Sequence, residues 1–391
     1  MKIKEPLELY IHIPFCKKKC NYCDFLSYPA PCEEREKYVE SLLEQIRVVA
    51  SGLVPGCDPD DFPDERDSKF KVSTVYIGGG TPSLLGDEQI EKILCQLKER
   101  FDILEDAEIT MEANPGTLTM DKLIVMKKSG INRLSLGLQS ANEEELKALG
   151  RIHSYQDFVE SFENARKAGF DNISVDIMTA LPEQNEEKLE NTLAKVIEMN
   201  PEHISAYSLI IEEDTPFYDM YGDIDGPVVG EKLERELYYY TREQLEKAGY
   251  CQYEISNFAK KRYESRHNLG YWKRIPYFGL GLGAASFFAG FRVTNTESIS
   301  EYFKNPCTFA SCQRLSENDA MEEFMYLGLR MSDGVCEKDF YHEFGKNLEE
   351  VYGKRISKLI NDGLLEKIEN RYRLTKKGID YGNYVFSQFL L

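Results

Sequence analysis

From Leu7 to Leu209 the chain alternates short apolar runs with longer stretches whose apolar positions recur every three or four residues. The first pattern suits strands and the second amphipathic helices. Read this way, Leu7–Ile13 is a strand and Arg35–Ala50 a helix; Val72–Ile77 is a strand and Asp87–Phe101 a helix with Asp87 as its N-cap. Ala107–Glu112 is a strand before a helix at Thr119–Lys128, and Asn132–Leu138 a strand before helices at Glu143–Leu149 and Tyr155–Ala168. Asn172–Met178, the helix Glu186–Met199 and the strand His203–Leu209 complete the series. Six strands alternating with helices predict an α/β fold with a parallel sheet, either an open doubly wound sheet or a barrel. Both architectures place ligands beyond the C-terminal ends of the strands.

Past Pro216 the alternation stops. A long helix at about Gly230–Lys247 precedes a strand-like Tyr253–Ala259, and Tyr277–Ala289 is rich in Gly, Ala and Phe, as in a tightly packed strand or turn. Helices near Glu317–Arg330, Glu337–Phe344 and Leu348–Asn361, then Gly363–Glu366 and Tyr372–Thr375, suggest a small winged-helix module. The expected division is 1–225 for the core, 226–315 for a connecting region and 316–391 for this module. Gly52–Lys71, rich in Asp, Pro and Gly, reads as a surface insertion.

Charge narrows the function. The formal net charge of −19 opposes binding to a phosphate backbone, so no nucleic-acid partner is expected. The slight basic excess in residues 349–378, eight Lys/Arg against five Asp/Glu, is too small to change that and suits packing against the core. No stretch reaches the roughly 18 apolar residues of a membrane helix, and the N-terminus has no apolar signal segment, so the expected location is cytoplasmic. In a reducing compartment ten cysteines favour metal binding or chemistry over disulfides.

Three of those cysteines carry the sharpest signal. Cys16, Cys20 and Cys23 follow the first strand with C-x3-C-x2-C spacing. Three thiolates can hold three irons of a [4Fe–4S] cubane and leave the fourth open to S-adenosylmethionine (SAM). Zinc favours four ligands, commonly in paired knuckles, and no second knuckle is present. Cys32 falls outside the spacing, and Cys57, Cys95, Cys251, Cys307, Cys312 and Cys336 are scattered.

Tyr10-Ile-His-Ile-Pro-Phe-Cys16 and Cys20-Asn-Tyr-Cys23-Asp-Phe25 resemble the family of oxygen-independent coproporphyrinogen III oxidases and the HemW heme chaperones, over essentially the whole chain. The resemblance implies a partial (β/α)6 radical SAM barrel with a winged-helix-like C-terminal domain. Gly79, Gly80 and Thr81, in a Gly-Gly-Gly-Thr-Pro run at a strand end, resemble the motif that meets the methionine part of SAM; a plain tight turn would look the same. Glu112, Gln139, Asp176 and Arg151 fall at or after later strand ends, where carboxylates suit hydroxyls or an ammonium and arginine suits a carboxylate. The resemblance maps these four, with Tyr10, Tyr22, Ser208 and Ala285, onto SAM contacts.

Three departures separate the chain from the oxidase pattern. Phe25 stands where the oxidase has a fourth cysteine, only nine residues precede Tyr10, and His267-Asn-Leu-Gly-Tyr271-Trp272 matches the H-N-x-x-Y-W motif associated with the chaperones. Histidine and tyrosine both ligate heme iron, and the single tryptophan can stack on a porphyrin. A buried, hydrogen-bonded histidine in an aromatic core is the competing reading. The resemblance therefore implies a heme chaperone with a SAM-ligated cluster, an electron donor and a heme-acceptor protein, respiratory and membrane-associated; oxidative decarboxylation of coproporphyrinogen III is the alternative.

Overall fold

The computed structural model describes residues 6–52 and 69–391. Most of the expected insertion at Gly52–Lys71, with Cys57 and the first five residues, lies outside the described residues. The core alternates strand and helix in the expected order. Its elements are β1 (Leu7–Ile13), α1 (Cys32–Ala50), β2 (Lys71–Gly79), α2 (Asp87–Arg100), β3 (Asp102–Ala113), α3 (Met120–Lys128) and β4 (Arg133–Gln139). Then follow α4 (Glu143–Ala148), α5 (Tyr155–Lys167), β5 (Ile173–Thr179), α6 (Glu186–Met199) and β6 (His203–Ser208). Pairing from β1 to β6 is sequential and parallel, as expected of the partial (β/α)6 barrel that the resemblance implies.

Two helix starts differ from expectation. The helix after β1 begins at Cys32, three residues early. Asp87 is the first helical residue of α2 rather than its cap; Gly86 caps, and its N–H donates to Gln89 Oε1 at 2.9 Å. Asp87 then sits in the first turn, where a carboxylate favours the helix dipole.

The strands are two-faced. Leu7, Leu9, Ile11 and Ile13 of β1 are at most 1% exposed and lie under the helices, with Val75, Ile77, Leu134, Leu136, Val175 and Ile204 beside them in one apolar core. The alternate positions are polar and face the barrel interior. Register aligns Tyr10 with Tyr76, Tyr76 with Thr110 and Thr110 with Arg133 across that inner face. Parallel strands buried on both sides are usually apolar throughout. The alternation here makes a barrel with a greasy exterior and a polar interior.

Beyond β6 come α7 (Pro216–Tyr221), α8 (Glu231–Lys247), β7 (Cys251–Gln252), β8 (Asn257–Ala259) and α9 (Arg266–Trp272). They are followed by β9 (Tyr277–Leu280), β10 (Ala285–Phe288), β11 (Phe291–Asn295), α10 (Ile299–Lys304) and β12 (Phe309–Arg314). The region does not stand apart. It widens the same sheet to twelve strands, with β9 to β12 outside β1 and the β7–β8 hairpin outside β6. The Gly-rich segment forms two strands, β9 and β10, joined through a turn at Gly281 and Gly283, both with positive φ.

The C-terminal domain has its own core around Phe340, Tyr352, Tyr372 and Phe389. It contains α11 (Glu317–Gly328), β13 (Val335–Cys336), α12 (Glu337–Phe344), α13 (Leu348–Asn361), β14 (Leu365–Ile368) and β15 (Arg371–Leu374), the last two forming the wing. It is fastened to the region before it by ion pairs, the buried Arg274 to Glu323 at 3.1 Å and the half-buried Arg292 of β11 to Glu323 at 3.0 Å. No helix among the described residues is long and apolar enough to cross a membrane.

Candidate functional site

The loop after β1 is held at both ends. Cys16 N–H donates to the Tyr28 carbonyl at 3.1 Å, and Tyr28 N–H returns to Pro14 at 2.9 Å. Asn21, midway between Cys20 and Cys23, donates its backbone N–H to Leu149 and its side-chain amide to Ala148, both at 2.9 Å, and accepts from Phe217 N–H of α7 at 2.9 Å. This scaffold turns Cys16, Cys20 and Cys23 toward a cavity of about 470 Å³ at the C-terminal ends of the strands.

The glycine run is shaped by that loop. A Cβ on Gly79, whose φ is 115°, would fall 2.6 Å from the His12 ring. On Gly80 it would fall 2.7 Å from the Phe15 carbonyl oxygen and 3.0 Å from Cys16 Sγ. Only glycine lets β2 and the cysteine loop approach so closely. Thr81 Oγ1 then donates to Cys16 Sγ at 3.5 Å, and Arg151 Nη1 to Cys20 Sγ at 3.6 Å. Both donors thus meet sulfur atoms of the loop that line the cavity. Among the described residues no three His, Cys, Asp or Glu side chains surround one ion position. A cubane asks for something else, since each thiolate takes a separate iron.

Of the remaining SAM candidates, Tyr22, Glu112, Gln139, Arg151, Asp176 and Ser208 all line this cavity. Glu112 accepts from Tyr76 Oη at 2.8 Å and from Gly79 N–H at 3.1 Å, so it ties β3 to the glycine run. Burial pushes its carboxyl up to about 7, against the pull of those hydrogen bonds. Burial also raises Asp176, which accepts from Ser135 Oγ at 3.1 Å. Gln139 sits at the end of β4 with φ 69°, a left-handed conformation costly for a residue with a Cβ, and its Oε1 accepts from Tyr207 Oη at 3.0 Å. Arg151 also donates to Asn114 Oδ1 at 2.8 Å and to the Gly137 carbonyl at 2.9 Å, spanning the mouth from the cysteine loop to β4.

Two candidates lie elsewhere. Tyr10 stands behind the lining, its ring 6.3 Å from that of Tyr76. His12 Nε2 donates to the Leu26 carbonyl at 2.9 Å, which leaves Nδ1 to accept from Tyr10 Oη at 2.9 Å. Tyr10 therefore steers the loop through His12. Ala285 is exposed on β10 and does not line the cavity.

Sequence reasoning missed Tyr76, Asn114, Arg133, Ser135 and Tyr207, which also line the cavity. Arg133 is 2% exposed, and its Nε has no partner. The signal was present: Arg133-Leu-Ser135-Leu-Gly137-Leu-Gln139 places a polar or small residue at every second position of a strand that a parallel sheet buries on both faces.

The cavity runs inward to α9, where Asn268 reaches its lining. The motif's other residues face away from it. His267 is 1% exposed; its Nδ1 is paired with Thr74 Oγ1 at 2.7 Å and its Nε2 with Tyr271 Oη at 2.8 Å. Burial lowers its pKa to about 3 and raises that of neighbouring Glu8 to about 9. At neutral pH both are uncharged, so their 3.7 Å approach is not an ion pair. Gly270 lets α9 settle here, since a Cβ would meet Glu8 Oε1 at 2.1 Å. Trp272 stacks under the Arg330 guanidinium at 4.6 Å, and its buried Nε1 has no partner. Iron ligation by His267 requires the bond to Thr74 or to Tyr271 to open.

Comparison with known proteins places this geometry. Residues 10–196 match the radical SAM superfamily, and residues 315–381 match the HemN C-terminal domain. The chain is 37% identical to the heme chaperone HemW of Lactococcus lactis, covering 100% of this chain and 98% of that protein. It is 34% identical to the heme chaperone HemW of Escherichia coli, covering 98% of each. The solved structure of coproporphyrinogen III oxidase (HemN) from Escherichia coli, a radical SAM enzyme, superposes with a TM-score of 0.81 at 22% identity, over 98% of this chain and 90% of that one. At that identity the likeness speaks for the fold.

Proposed function

The chain belongs to the HemW heme chaperone family of the radical SAM superfamily, and from that premise we propose that it binds heme and delivers it to an acceptor protein. Cys16, Cys20 and Cys23 would hold a [4Fe–4S] cluster, with SAM in the cavity beside it. One observation carries the reading: three thiols, two of them facing Thr81 and Arg151 donors, open on a cavity lined by unlike polar groups. That donor set fits a cluster and a zwitterionic nucleoside better than a lone ion. When bound, a reduced cluster and SAM supply an electron and a cleavable C–S bond.

The chain's own residues divide the work. Gly79 and Gly80 leave room for the cysteine loop and for a ligand at the end of β2. Glu112 and Asp176 offer carboxylates to hydroxyls or an ammonium, and Arg151 and Tyr22 close the side toward α4. Gln139, held in its strained conformation, presents a side chain preset by Tyr207. The heme contribution of His267, Tyr271 and Trp272 would require α9 to loosen; as packed, they close the inner end of the barrel.

The acceptor and the electron donor belong to this proposal as protein partners, without further identity. Phe25, in place of the oxidase's fourth cysteine, favours carriage over decarboxylation. The test is anaerobic reconstitution with iron and sulfide, a heme titration followed by absorbance, and a parallel assay with coproporphyrinogen III, SAM and a reductant. Stoichiometric heme binding without decarboxylation is expected. Decarboxylation without stable heme binding would make the chain an oxidase.

A further inference from the structure

We propose that the heme macrocycle seats at the open end of the barrel, around the cysteine loop; this rests on the heme-carrying reading above. The four most exposed large apolar side chains among the described residues are Ile210, Met220, Phe25 and Ile152, at 67, 61, 60 and 57%. Apolar side chains scattered singly over a surface are ordinary, but Phe25, Ile210 and Ile152 share one rim, and Met220 is on a helix tied to its loop. Phe25 and Ile210 line the mouth of the cavity. Ile152 lines a shallow recess that shares Lys18, Cys20, Thr81, Asn114 and Arg151 with that mouth. Met220 is on α7, whose first turn is tied to the loop by the Phe217–Asn21 hydrogen bond.

Charge at the rim selects the occupant. The chain carries a net charge of −19, yet Lys17, Lys18 and Lys19 stand exposed together on the loop. Lys17 and Lys18 line the Ile152 recess, Lys18 reaching the mouth as well, where Asp24 and Glu212 also stand. The exposed lysines thus gather on the recess side of an apolar rim. A flat amphiphile with an apolar body and carboxylates along one side matches that layout, and heme is such a molecule. Its propionates would point to the lysines and its ring would rest on Phe25, Ile152 and Ile210.

The rim also answers a difficulty at the inner end. His267 and Tyr271 are bonded to each other and buried, so neither offers iron a free atom without rearrangement. On α7, tied to the cysteine loop, Met220 and Tyr218 (42% exposed) are open to solvent, and thioether sulfur and tyrosine oxygen both ligate heme iron. Heme arriving here would cover the cluster cavity rather than compete for its 470 Å³.

The experiment compares heme with heme dimethyl ester on the full, cluster-loaded chain by absorbance titration, then repeats the heme titration with Ile210→Asp, Ile152→Asp and His267→Ala. The rim site predicts ester binding at least tenfold weaker than heme. It predicts about tenfold weaker heme binding by each aspartate variant, with cluster absorbance unchanged, and near-normal heme binding by His267→Ala. Because His267→Ala risks misfolding, Tyr271→Phe serves as its conservative counterpart. Equal affinity for heme and ester, or aspartate variants that bind heme like the parent, would overturn the proposal and leave the rim to a protein partner. Failure of the parent chain to bind heme at all would instead sink the heme-carrying function itself.

Discussion

At the open end of the barrel, three thiols and a set of half-buried polar groups face a cavity that the protein does not fill; at the inner end, His267, Tyr271, Thr74 and Gly270 close against each other and Glu8. Both ends carry a recognisable sequence signature, and both depend on a glycine that a Cβ would spoil. They differ in where their hydrogen-bonding capacity goes. The outer signature directs donors toward sulfur and keeps the metal-binding atoms accessible, whereas the inner one uses both histidine nitrogens within the protein. A motif rich in ligand-type residues can therefore be a binding site or a packed joint, and its hydrogen-bond partners decide which.

The largest expected effect tests the outer end. Cys20→Ala should abolish the cluster's visible absorbance after reconstitution, because three irons then have two protein ligands. A normal spectrum in that variant would remove the loop from the metal site. Next comes the inner end. His267→Ala leaves the Tyr271 hydroxyl buried without its partner and opens a void, so unfolding stability should fall by about 2–4 kcal/mol. Chemical denaturation measures this, and the cluster spectrum should not change. Loss of the cluster with stability intact would reverse the roles assigned to the two ends.

Gly80→Ala should cost less in stability, about 1–3 kcal/mol. Its damage should appear locally, as low iron content, since the added methyl presses on Phe15 and Cys16. Retention of full iron content would show that the loop can yield.

Protonation separates the ends more gently. Glu112 rises from an ordinary value of 4.5 to about 7 in the fold, so the folded chain holds a proton that the unfolded chain releases between those values. The stability it lends is complete below about pH 4.5 and is lost as pH rises through about 7. Thermal melts of wild type and Glu112→Gln should therefore diverge from pH 5 to pH 8, the wild type losing ground; parallel curves would refute a raised carboxyl. The smallest effect is at the inner end. His267, lowered to about 3, stays neutral across that range, so Tyr271→Phe should shift stability equally at pH 5 and pH 8.

The alternation of apolar runs was enough to read the strand and helix order of the core, because burial of one strand face and one helix stripe repeats on the scale of a few residues. Cys16, Cys20 and Cys23 were equally legible, since their spacing confines them to one loop. The loop's neighbours were not. Thr81 and Arg151 reach Cys16 and Cys20 from 65 and 131 residues away, pairings that no local pattern encodes. Arg133 and Ser135 mark a polar face by alternating with leucines, but that this face, with Tyr207, lines a cavity depends on how the sheet curls. The edge strands β11 and β12 went unread because they lack a strong pattern of their own: β11 follows β10 through a two-residue turn, and β12 is exposed along nearly all its length.

The sequence by itself therefore determined the α/β alternation, the cysteine triad and the presence of a second signature around His267, all properties of spacing within short segments. Only the tertiary structure decided that Glu112, Gln139, Arg151 and Asp176 share one cavity, that Tyr10 and Ala285 stand outside its lining, and that His267 is sealed against Thr74 and Tyr271. The physical reason is that a side chain's chemistry is set by what lies within a few ångströms, and in a barrel those neighbours come from strands and helices far apart in the chain.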